Sequence, residues 1–137
     1  MKIILWICMA GLMAMCHSQK DNVNLGDKTW VLDSIEGQKV EMKIPDNKVT
    51  MQFDVTENKV AGMAGCNNFF GGYEQDGRKL KFYQMGVTRM TCPDIEMERL
   101  FFKMLENTTT FQIKGKELTF LRKGKVLAVF KEKTGEE

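Results

Sequence analysis

Two short segments hold most of the reactive side chains of this 137-residue sequence. The first, Gly65-Cys66-Asn67-Asn68-Phe69-Phe70-Gly71-Gly72-Tyr73, gathers a thiol, two carboxamides, three glycines and three aromatic rings. The second, Thr88-Arg89-Met90-Thr91-Cys92-Pro93, sets another thiol and a guanidinium just ahead of an expected helix. Nucleophilic use of a thiol needs a base to take its proton, most often a histidine. The sequence has one histidine, His17, far along the chain from both segments. A helix N-terminus favours a thiolate without any base, so Cys92 keeps a thiol-dependent enzyme or redox protein, using Cys66 and Cys92, as an alternative. A tetrahedral zinc site is not completed by two cysteines with no histidine nearby. The aspartates and glutamates are too scattered for a calcium loop, and the glycines at 71 and 72 are read as preceding a strand, not a phosphate-cradling helix. Neither a metal nor a cofactor is expected.

The other two cysteines belong to the N-terminus. Met1-Lys2 is a short positive start, and the apolar run from Ile3 to Met15, which contains Cys8, follows it without a charge. That run has the length of a signal-peptide core and is too short to span a bilayer as a helix, so residues 1–15 are read as a signal peptide. Met13-Ala14-Met15-Cys16 resembles a bacterial lipobox, with methionine where leucine and a small residue are usual. Cys16 is therefore the expected lipidation site and residues 16–28 a polar tether; several acyl chains on one cysteine hold a protein stably on a membrane. Ordinary secretion without an anchor is the alternative. Cys66 and Cys92 are then an even pair in an oxidising compartment, which points to a disulfide closing a loop of about 26 residues. Two buried, unpaired thiols acting as small hydrophobes would also fit.

The remaining polar groups have structural readings. Asn67 and Asn68 suit hydrogen bonds to backbone inside a turn. Arg89 suits an ion pair with an acidic residue such as Glu98. Phe69, Phe70 and Tyr73 suit a core, or else a surface for a partner. The formal net charge is +2 and falls to about +1 once Lys2 leaves with the leader. Charges of both signs are interspersed, which excludes nucleic acid as an expected partner.

Positioning these groups falls to a β-rich domain with one helix. Trp30, Leu32 and Ile35 begin it. Val40, Met42 and Ile44 alternate with charged residues, as do Val49, Met51, Phe53 and Val55 with polar ones, the period of half-buried strands. Further strands are expected at Lys59–Gly65, Lys79–Phe82, Phe111–Ile113, Leu118–Phe120 and Leu127–Val129. Pro93 suits a first helical position, with Thr91 or Cys92 as the cap. Met97, Leu100, Phe101, Met104 and Leu105 then form one apolar face. The expected class is α+β: a curved antiparallel sheet of about seven or eight strands whose concave side takes the helix. Residues 29–131 form the domain and 132–137 a charged tail.

Gly65-Cys66-Asn67 with Gly71-Gly72-Tyr73, then Thr88-Arg89-Met90 with Cys92 and a helix carrying Glu98, resembles the META domain, the family of the bacterial heat shock protein HslJ. The opening Trp30-Val31-Leu32 and the run Val60-Ala61-Gly62-Met63-Ala64 resemble it too. The resemblance implies the same curved sheet around a helix, on exported or lipid-anchored proteins tied loosely to stress response, and no catalytic residue set. It leads to the expectation of a non-enzymatic, monomeric envelope protein. Such a protein would be periplasmic or an outer-membrane lipoprotein, and would bind an envelope protein or a hydrophobic ligand.

Overall fold

Inward residues at every second position force the chain from Thr29 onward into strands, and short turns force those strands to run antiparallel. The computed structural model describes residues 23–135. The expected signal peptide, Cys16, His17 and the end of the tail lie outside the described residues. The elements are β1 (Thr29–Ile35), β2 (Gln38–Lys39), β3 (Val49–Asp54), β4 (Lys59–Ala64), β5 (Asn68–Asp76), β6 (Lys79–Val87), α1 (Ile95–Asn107), β7 (Thr110–Lys114), β8 (Glu117–Arg122) and β9 (Lys125–Glu132). The class is α+β, with nine strands where about seven or eight were expected.

The strands follow one another in sequence order around a single antiparallel sheet, except that β3 and β2 both pair with the same side of β1. β9 returns to β1 through Trp30↔Glu132 to Ile35↔Ala128, so the sheet closes into a ring. The weakest seam lies between β6 and β7, which share only the Lys79↔Thr110 register pair and backbone bonds beside it. β6 then runs on towards Val87 without a strand partner on that side among the described residues, and α1 packs against β1, β4 and β6.

Phe101, Met104 and Leu105 of α1 are buried, with Met97 and Leu100 partly so, as their spacing predicts. Inside the ring an aromatic chain runs Tyr73–Phe53–Phe82–Phe120–Phe130, with ring centroids 5.0, 6.2, 5.6 and 5.0 Å apart. Phe69 joins the helix to the sheet through Phe101 at 4.9 Å. Each pair adds about 0.5–1.5 kcal/mol beyond the area it buries.

Three expectations need correction. The alternation at Val40, Met42 and Ile44 does not form a strand: only Gln38–Lys39 pairs, and Ile44 is exposed. A longer β2 would run along β1 towards Thr29–Val31, and there the edge is already taken by β3. The glycines 71 and 72 lie within β5, not before a strand. The tether also ends earlier than residue 28. Leu25 is fully buried, its carbonyl accepts the Trp30 indole N–H at 3.2 Å, and the Val23 carbonyl accepts from Gln75.

Candidate functional site

The two reactive segments meet. β4 ends at Ala64, and Gly65 turns the chain with φ +102°, a left-handed angle that favours glycine. The next residue, Cys66, is joined by a disulfide to Cys92, with Cα atoms 6.1 Å apart. Cys92 is buried, and no thiol is left free among the described residues.

Asn67 occupies the centre of the junction and is 1% exposed. Its Oδ1 accepts the Met90 backbone N–H at 2.7 Å and the Thr88 hydroxyl at 3.3 Å. Its Nδ2 donates to Glu98 Oε2 at 2.8 Å and to the Met90 carbonyl at 3.3 Å. Asn67 therefore binds across to the segment before α1 and to α1 itself, rather than only within its own turn. Arg89 makes no ion pair among the described residues: Glu98 is held by Asn67, and the guanidinium is exposed. Thr88 Oγ1 also accepts the Asn68 N–H at 3.0 Å, while the Asn68 carbonyl accepts the Thr88 N–H at 2.9 Å.

The helix start also differs from expectation. Asp94, not Thr91 or Cys92, is the cap residue, and its side chain turns away from the helix. Its buried Oδ1 accepts the Lys43 N–H at 2.8 Å, tying down the long β2–β3 connection. The sequence carries no periodic signal for this contact, because it joins residues 51 positions apart.

Gly72 and Gly86 are explained by aromatic cover. A β-carbon on Gly72 would lie 2.4 Å from the Tyr83 ring, and one on Gly86 would lie 2.7 Å from the Phe70 ring. Phe70 and Tyr83 thus lie over glycines on the outer face of the sheet, where Phe70 is 58% exposed. Of the three aromatics in the first segment, Phe69 and Tyr73 are core and Phe70 is not.

Tyr73 points inward, and burial, then the Asp54 charge, hold its phenol above the usual value near 10. The folded phenol keeps its proton where the unfolded chain releases it. Tyr73 therefore contributes stability below about pH 10, which is lost as pH rises through the higher folded value. Tyr73→Phe is expected to flatten the fall in urea-unfolding stability between about pH 9 and 11. Identical slopes for the two proteins would count against this origin.

In chemical terms the junction is a clamp. It pins the β4–β5 turn to the entrance of α1 by one covalent and several hydrogen bonds. Among the described residues, no three His, Cys, Asp or Glu side chains gather to hold a metal ion.

The same fold recurs in solved structures. A protein from Burkholderia xenovorans, determined by NMR, superposes with a TM-score of 0.62 at 24% identity, over 80% of this chain and 84% of that one. A DUF4847 family protein from Bacteroides vulgatus, determined by crystallography, gives 0.56 at 14% identity, over 82% of this chain and 96% of that one. At these identities the likeness is one of fold. No curated protein sequence matches the chain. The sequence pattern of the META domain matches residues 23–134, a span that takes in the buried Leu25, the Cys66–Cys92 clamp and the closing strand β9. This chain belongs to the META domain family.

Proposed function

We propose that this META domain is exported, held at a membrane through lipid on Cys16, and acts by binding within the cell envelope rather than by catalysis. The observation that carries the reading is the Cys66–Cys92 disulfide. Such bonds persist in oxidising compartments, and the same sequence opens with an apolar run that reads as a leader ending at a cysteine. A sulfur engaged in a disulfide is no thiolate nucleophile, which favours a binding module over a thiol enzyme. The role is in envelope stress or assembly, with an envelope protein or a hydrophobic ligand as partner, and the working form is a monomer.

The test uses intact cells. Radioactive fatty acid should label the protein, and Cys16→Ser should abolish the label. A mature product that keeps its first fifteen residues and stays in the cytosol would overturn the reading.

A second reading, a redox protein using Cys66 and Cys92, draws on the position of Cys92 three residues before α1. Alkylation of native protein with and without mild reductant separates the two. A bridge that resists mild reductant supports the binding module, and one that opens readily supports redox chemistry.

A further inference from the structure

A second site lies at the far end of α1, away from the clamp. There a pocket of about 380 Å³ opens between the helix, the β8–β9 turn and the β1–β2 turn. Two separate segments bring cations to it. Arg122, Lys123 and Lys125 flank the β8–β9 turn, and Lys103 reaches in from the helix one turn before its end. Among the described residues Glu36 is the one carboxylate in the lining, and its N–H bonds the Leu127 carbonyl at 2.8 Å.

None of the four cations has a carboxylate within ion-pair distance among the described residues. Elsewhere on the surface, Lys28, Lys59 and Lys131 each sit beside one. Arg122 donates only to the neutral amide oxygen of Asn107. Capping of the helix does not account for the cluster. The Lys103 carbonyl already accepts from Asn107 Nδ2, and the Met104 and Leu105 carbonyls accept from Thr108. Four like charges held together with one counter-charge repel one another, and an anion entering the pocket relieves that repulsion. The lining also includes the largely buried Met104 and the half-buried Leu127, which offer apolar contact.

We propose that this pocket binds a single-chain anionic amphiphile of the fatty-acid class. The acidic head pairs with Arg122 and the surrounding lysines, and the first methylenes of the chain rest on Met104 and Leu127. This holds whether or not Cys16 carries lipid.

The test is an NMR titration of the oxidised mature protein with decanoate, with inorganic phosphate and decyltrimethylammonium as comparisons. Decanoate should shift amides of residues 103–107 and 122–127, and binding should weaken as salt rises. Lys103→Glu/Lys125→Glu should weaken it about tenfold or more, and Lys103→Gln/Lys125→Gln by less. Both lysines are exposed, so unchanged thermal unfolding would show that these variants fold. Phosphate binding as tightly as decanoate would overturn the amphiphile, because the apolar lining would then contribute nothing. Equal binding of decyltrimethylammonium, shifts confined to other residues, or full affinity in the Glu variant would overturn the site.

Discussion

Cys66→Ser/Cys92→Ala is expected to lower the free energy of unfolding by about 3.5 kcal/mol. That is the chain-entropy cost of releasing a cross-link whose ends are 26 residues apart. Alanine is chosen at 92 because the position is buried and a hydroxyl there would need a partner. Domains of this size have roughly 5–15 kcal/mol of stability in total. The loss would therefore be a large share, visible as a lower urea midpoint. Reduced wild-type protein should fall by nearly the same amount, because both chains gain the same freedom when unfolded. A change under about 1 kcal/mol in both would mean that the bridge contributes little, and the weight of the junction would pass to Asn67.

That junction shows where sequence reading succeeds and where it stops. Val49, Met51 and Phe53 alternate with polar partners, and β3 forms where alternation places it. The face of α1 is legible for the same reason, since Phe101, Met104 and Leu105 repeat with the helix. Alternation at Val40, Met42 and Ile44 is equally clean yet gives no strand, because a ladder also needs a neighbouring edge and the long connection to β3 supplies none. β5 was hidden by its composition: Gly71-Gly72 suggests a loop until Tyr83 is seen to lie over Gly72. Leu25 is buried in the core and its carbonyl accepts from the Trp30 indole, a placement that no alternating pattern signals. The basic pocket draws on residues 36, 103 and 122–127, so its charge balance exists only after folding. In the sequence Lys123-Gly124-Lys125 is simply a turn.

Asn67 was visible as an unusual residue, but its task was not, and its variants test that task more sharply than the cysteines do. Asn67→Ala removes two acceptor and two donor contacts from a site 1% exposed. We expect a loss of about 3 kcal/mol, since one bond involves a carboxylate and the Met90 backbone groups lose their partner. Asn67→Asp keeps the shape and the acceptor for the Met90 N–H. It also replaces the donor 2.8 Å from Glu98 Oε2 with an oxygen, setting acceptor against acceptor and charge against charge. Aspartate should therefore be no better than alanine, although it is nearer in structure. Restoring a donor on the other side, in Asn67→Asp/Glu98→Gln, should recover part of the loss. Both the bridge and Asn67 hold the segment containing Arg89, which is exposed, has no ion pair among the described residues, and so marks local opening as a trypsin site. Cleavage after Arg89, followed by mass spectrometry, should rise modestly in the alanine variant and in the cysteine variant separately. With both changes it should rise by more than the product of the two, because either restraint alone still closes the segment. Simple multiplication would mean that the two restraints act on different motions, and tolerance of Asn67→Asp would mean that the carboxamide does not donate to Glu98.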